Sequence, residues 1–208
     1  MRWAVRTAAV LVGLAALVLG TGLAFAGLPT PPKHLPTGFG VGRGQGRNVL
    51  LDGNFAAGGR VAAGWSPEYS TAGRPFFARH GDAEEVAYAG RAGDTGPHRK
   101  IEIFQATWHD VRPGQRWQFS VQVKGQMSHA YVIVGMEWFS VATPIYRYLA
   151  EQDVYPRVAG SWQRVTVTSP RLPVTARCVA VYVQLPEINA ATRIDVEIRG
   201  ASLVQDRS

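Results

Sequence analysis

An all-β fold, antiparallel strands arranged as a sandwich or barrel, is what the residues from Asn48 onward predict. Three observations carry that expectation. Short segments alternate apolar and polar side chains with a period of two, as half-buried strands do. Pro144, Pro156, Pro170, Pro173 and Pro186 fall between those segments, where a missing N–H is tolerated. No amphipathic helical pattern stands out beyond the N-terminal segment, so the chain reads as paired sheets, each with one solvated face.

Taken in order, residues 1–26 read as a signal peptide or a membrane anchor. Arg2 and Arg6 make a basic start, Thr7 to Ala26 carries no charge, and Ala24-Phe25-Ala26 is a small-x-small cleavage pattern before Gly27. An uncleaved segment of this length is also about enough to span a bilayer. Both alternatives export the rest of the chain, which is then secreted or attached to the cell surface, touching membrane only through this segment. Residues 27–47 hold prolines, then glycines, and read as a linker that is stiff first and flexible later.

The domain follows over residues 48–205. Probable strands are Asn48–Phe55, Val86–Ala89 and Ile101–Thr107. Pro113-Gly114 marks a turn before Trp117–Lys124, the clearest strand, with Trp117, Phe119, Val121 and Val123 on one side and Gln118, Ser120, Gln122 and Lys124 on the other. Ala130–Phe139 and Trp162–Thr168 are next. Cys178–Leu185 places Val179, Val181, Val183 and Leu185 inward and Ala180, Tyr182 and Gln184 outward. Arg193–Leu203 closes the domain and bends at Gly200. His80–Lys100 reads as a charged surface loop around a short strand, and Pro144–Leu149 as a loop.

Composition narrows the function. The chain has 208 residues, 46% of them hydrophobic, which is enough for a packed core and excludes wholesale disorder. One cysteine makes no internal disulfide and no multi-cysteine zinc site. The net charge of +7 comes from basic residues that are scattered rather than clustered, so nucleic acid is not an expected partner.

The order of short motifs carries a resemblance. Asn48-Val-Leu-Leu-Asp-Gly-Asn-Phe55 is followed by Gly64-Trp65-Ser66, Ile103-Phe-Gln105, Val111-Arg-Pro-Gly114 and the Trp117–Lys124 strand. Gly160-Ser-Trp162-Gln-Arg-Val-Thr-Val, Ser169-Pro170 and Asp195…Ala-Ser-Leu203 complete it. Over about Asn48 to Gln205 this resembles the cellulase-associated carbohydrate-binding modules of families four and nine. The resemblance implies a galactose-binding-like β-jelly-roll, a sugar site on one sheet face and, often, a structural calcium. Where such modules carry a pair of acids before the last Val-Ser-Leu, this chain has Arg199-Gly200. An arginine opposes calcium, which needs negatively charged oxygen ligands. Asp52, Asp195 and Glu197 are the substitutes within the chain, and the expectation is a domain without cofactor or metal.

Sugars offer apolar C–H faces and hydroxyl groups, so a binding sheet wants aromatic platforms beside hydrogen-bonding side chains. Gln122, Tyr182 and Gln184 supply these if their two strands share a sheet. Glu137, and Tyr131 with it, lies opposite in parity to Val132, Val134, Met136 and Trp138. Tyr146 and Tyr148 are expected at the rim, and Trp108 and His109 are further loop candidates. Trp65, Trp117 and Trp162 have the apolar phase of packing residues. Solvated face residues are the competing account of the polar set.

No catalytic constellation is legible. The histidines, His34, His80, His98, His109 and His129, lack metal-ligand spacing, Cys178 opens a strand as a buried thiol would, and Ser66 and Ser161 lack a nucleophile-elbow context. Glu137 with Asp195 or Glu197 is the conceivable hydrolytic pair. The expected function is thus an exported, non-catalytic carbohydrate-binding domain. The alternatives are a cell-surface protein-interaction or assembly sandwich without a sugar site, and a small glycoside-active enzyme.

Overall fold

The structure, a computed structural model, describes residues 47–56, 61–96, 98–107, 111–127, 131–142 and 145–207. The signal or anchor segment, all but the last residue of the linker, and Trp108 and His109 lie outside the described residues. Ten strands are formed: β1 (Ser66–Tyr69), β2 (Phe76–His80), β3 (Ala83–Ala89), β4 (Ile101–Thr107), β5 (Arg116–Met127), β6 (Ile133–Ala142), β7 (Ile145–Val154), β8 (Gln163–Thr168), β9 (Ala176–Leu185) and β10 (Arg193–Asp206). They make two five-stranded sheets, in the orders β1-β4-β9-β6-β7 and β2-β3-β10-β5-β8. Every neighbouring pair is antiparallel. The described residues therefore form an all-β antiparallel sandwich of the jelly-roll kind.

The alternation in the sequence explains which side of each sheet is buried. Trp117, Phe119, Val121 and Val123 of β5 join Val179, Val181, Val183 and Leu185 of β9 in one apolar cluster. Ile194, Val196 and Ile198 of β10 complete the second sheet's share, and Trp65 stacks on Phe55 with ring centroids 5.0 Å apart. In β10 the register with β5 shifts between Arg199 and Ser202. Gly200, at φ +57°, takes the left-handed conformation this bulge needs.

Two expectations are corrected and two are refined. Asn48–Phe55 is a turning strap rather than a strand, with Asp52 and Phe55 at positive φ. Beside two backbone bonds to β10, from the Val49 amide to Leu203 and from the Ala201 amide to Gly53, side chains tie it down. Gln105 accepts from the Leu51 amide (2.6 Å) and donates to its carbonyl (2.9 Å), while the Asn48 side chain accepts from the Leu50 and Leu203 amides and donates to the Ala201 carbonyl. Asn and Asp side chains compete with strand pairing in this way. Residues 145–154, half of them expected as a loop, form β7. Its alternation is masked by a bulge, since Ala150 faces Trp138 but Tyr148 faces Phe139, leaving Leu149 as the extra residue. The short strand expected at Val86–Ala89 within the loop His80–Lys100 is longer, β3 beginning at Ala83, and its Glu84 points into the core with no exposure. Of the packing tryptophans, Trp162 packs at the surface rather than in the core. It lies half-buried beside the outer face of the second sheet, with the Arg199 guanidinium 4.0 Å and the Lys124 ammonium 4.8 Å from its ring centroid.

Candidate functional site

The outer face of the β1-β4-β9-β6-β7 sheet brings most of the candidate residues together. Register builds it row by row. Glu102 of β4 faces Gln184 of β9, which faces Ile133 of β6. The next row runs Phe104, Tyr182, Gly135 and Asp153, and the one after it Ala106, Ala180, Glu137 and Glu151. Cys178, Phe139 and Tyr148 follow. The bulge at Leu149 puts Tyr148 and Glu151, three residues apart, on one face.

Floor and rim differ in depth. Tyr182 is 4% exposed and Glu102 9%, whereas Tyr148 and Tyr155 at the β7 side are 50% and 60% exposed. Phe139 meets Tyr148 edge-on, and Tyr131 meets Tyr155 in the same way. The Tyr131 hydroxyl donates to Glu187 at 3.2 Å.

Gln122 does not belong to this face. It sits on β5, in the other sheet, where its side-chain oxygen accepts from Arg199. β5 and β9 each alternate cleanly, but alternation alone does not say which sheet a strand enters. Tyr182 has the expected outward phase yet is no exposed platform. Its ring lies over Gly135, where a Cβ would collide with the ring and with Asp153, and its hydroxyl donates to Asp153 at 2.5 Å. Gln184, Glu137 and Tyr148 share the face by register, and Tyr146 lies on β7 at the position paired with Val141, not in a loop.

Four further residues complete the face: Glu102, Phe104, Glu151 and Asp153. The alternation of Ile101-Glu-Ile-Phe104 carried the signal for the first two. The bulge hid the other two. Lys100 is the cation held among them, 3.0 Å from Glu102 and 3.7 Å from Glu68.

One lysine does not offset this many acids. Burial, then the charges of Glu102 and Glu151, pushes Glu137 up to about 8. Glu102, Glu151 and Asp153 are raised too, each by burial first. Lys100 is raised as well: burial opposes its charge, but Glu102, Glu68 and Glu137 together outweigh burial. Near neutrality Glu137 therefore keeps its proton, and its carboxyl both donates and accepts. Burial and the nearby acids lift the Tyr148 hydroxyl to about 12 and the Cys178 thiol to about 12, which leaves that thiol inert.

The face cannot use Asp195 or Glu197 as partners of Glu137. Both stand on β10, in the other sheet, and Glu197 pairs with Lys124 at 2.8 Å. Nor do these residues suit calcium. Asp52 accepts from the Ala56 and Ala63 amides, and among the described residues no group of three His, Cys, Asp or Glu side chains is placed around a metal position. Glu84, beside the strap, accepts from the Ala62 amide at 3.2 Å. Burial pushes it up to about 7, so it is a poor hard-cation ligand.

No family model and no curated protein matches the chain. Solved structures do. The enzymatically active domain of bacteriophage CBA120 tailspike protein 4 superposes with a TM-score of 0.59 at 9% identity, over 76% of this chain and 21% of that one. The family 11 carbohydrate-binding module of a cellulosomal cellulase of Clostridium thermocellum gives 0.51 at 10% identity, over 77% and 95%. An arabinose-bound GH51 α-L-arabinofuranosidase gives 0.51 at 13%, over 78% and 27%. This chain thus spans about a fifth of the tailspike domain and nearly all of the family 11 module. At these identities the likeness is one of fold: a β-sandwich that the family 11 carbohydrate-binding module also has.

Proposed function

We propose that the chain is an exported, non-catalytic carbohydrate-binding domain of the kind found in families four and nine, holding a glycan on the outer face of the β1-β4-β9-β6-β7 sheet. The observation that carries this is the pairing of proud aromatic rings at the β7 side with a recessed polar floor. Tyr148 at 50% and Tyr155 at 60% exposure offer apolar platforms, and Glu137, Glu151 and Gln184 offer hydrogen bonds to hydroxyl groups. A neutral sugar suits this floor. A carboxylated one would meet Glu102, Glu151 and Asp153 against the single Lys100, and like charges there repel. Arg2, Arg6 and Ala24-Phe25-Ala26 support export.

The test is retention of the full chain by neutral β-glucan, xylan and galactan in affinity electrophoresis, with and without a chelator. At least one should retain it, independently of calcium. Tyr148→Ala should then weaken retention about five- to thirty-fold, the loss of one stacking platform at ~1–2 kcal/mol. Failure of every neutral glycan overturns the reading in favour of a protein-assembly sandwich. Release of reducing ends from a retained glycan overturns its non-catalytic part.

A further inference from the structure

The second sheet carries a groove of its own. It is open, about 880 Å³ in volume, and runs over the outer face of β2, β3 and β10, away from the face described above. That volume is within the range of ligand sites, roughly 300–1,000 Å³. Its floor is shallow-chained: Ala87 and Ala89 of β3 point outward, opposite to the buried Val86 and Tyr88. Phe76 stands level with Ala87 and is 48% exposed. On the far side of Ala87, Asp195 is its partner on β10.

One row further on, the chemistry changes sign. Arg193 is the cross-strand partner of Ala89. Extending the β2–β3 register by two residues from Phe76 brings Arg74 level with Ala89 on the other side. Two strand spacings put the Arg74 and Arg193 backbones roughly 10 Å apart, with a methyl group between them. Arg91 folds back toward them. Its guanidinium fills the space that a Cβ on Gly73 would take, with Nε 2.5 Å from that position. Among the described residues neither Arg74 nor Arg91 forms an ion pair, and both are exposed. Glu85, at the other end of the groove, is held by His80 at 3.2 Å.

We propose that this groove is a second, separate carbohydrate site, selective for a saccharide that carries carboxylate groups. A guanidinium fork matches a carboxylate in plane and in hydrogen-bond spacing, and Arg74, Arg91 and Arg193 line one end of the groove, Arg193 with one nitrogen donating to the Thr192 carbonyl at 2.7 Å. Phe76, one row away, gives a sugar ring an apolar face to lie on. A ring on Phe76 places its carboxylate toward Arg74 and Arg193 and its hydroxyl groups toward Asp195. The inference does not depend on the neutral-glycan face: the two sites lie on different sheets and share no residue.

The experiment is affinity electrophoresis of the full chain at low salt with polygalacturonate, with polyphosphate as a polyanion lacking sugar rings, and with a neutral glycan. Polygalacturonate should be retained. The double substitution Arg74→Ala/Arg193→Ala should weaken that retention about tenfold or more and leave neutral-glycan retention and the melting temperature unchanged. Asp195→Asn should strengthen it, because it removes the acid nearest the ligand carboxylate. Phe76→Ala should weaken polygalacturonate and spare polyphosphate, which has no ring to stack. Three results overturn the proposal: no retention by polygalacturonate, equal retention by the double variant, or polyphosphate and polygalacturonate held alike with no effect of Phe76→Ala. The last would be charge attraction alone.

Discussion

Tyr182 shows how one side chain's role depends on a neighbour the local sequence does not name. Its phase on β9 is legible from Val181 and Val183, and the phase holds: the valines belong to the core cluster and the tyrosine to the outer layer. Its exposure is set on β6, where Gly135 has no side chain and lets the ring lie down until its hydroxyl reaches Asp153. The tyrosine is therefore a support under the glycan face. Tyr182→Phe should cost about 1–3 kcal/mol, because it leaves a half-buried carboxylate without its donor. Tyr182→Ala should cost about 3–5 kcal/mol, in the range of large aromatic truncations. Urea unfolding measures both. A Tyr182→Ala variant that unfolds with the parent while losing glycan retention would make it a contact residue instead.

At the scale of elements, bulges and straps decided what could be read. β5, β8, β9 and the first half of β10 announce themselves because each alternates, and β6 because it is an apolar run. β7 does not, because Leu149 shifts the parity midway, and with it Glu151 and Asp153 went unseen as site residues. Sheet membership was not legible either: Gln122 alternates as well as Gln184 does, yet β5 pairs with β10 and β8 rather than with β9. The strap Asn48–Phe55 failed as a strand for a different reason: beyond two backbone bonds to β10, from the Val49 amide to Leu203 and from the Ala201 amide to Gly53, it is tied by side chains. Gln105 is the larger of these ties, bonded to both polar groups of Leu51 and itself 4% exposed. Gln105→Ala should cost about 2 kcal/mol, the summed loss of two part-buried hydrogen bonds, and loosen the strap before the sheets. Hydrogen exchange should then rise at Leu51 while the β5 and β9 amides stay protected. Uniform loss of protection across the sheets would show instead that the strap and sandwich unfold as one unit.

The whole molecule carries buried acids on two levels, and together they set how its stability varies with pH. Glu84 between the sheets is raised to about 7 and Glu137 on the outer face to about 8, both by burial first. An acid raised on folding binds its proton more tightly in the native state, so the native state loses ground as that proton is removed. The cost is absent below the unfolded value of 4.5 and grows as pH climbs through about 7 and 8. Asp94 works the other way. Burial opposes its ionisation, but the Tyr88 hydroxyl and the Ala72 and Arg91 amides win and hold it below 3.8. Its contribution is present above 3.8 and lost as pH falls through its lowered value. The two trends place the stability maximum on the acid side of neutral, and melting temperature should fall from about pH 5 to about pH 9. Glu137→Gln should flatten the upper part of that slope, and Glu84→Gln the part near pH 7, since neither amide ionises. A parent melting temperature that rises with pH across this window, or a slope untouched by both substitutions, would mean that these two carboxyl groups ionise as freely in the folded chain as in the unfolded one.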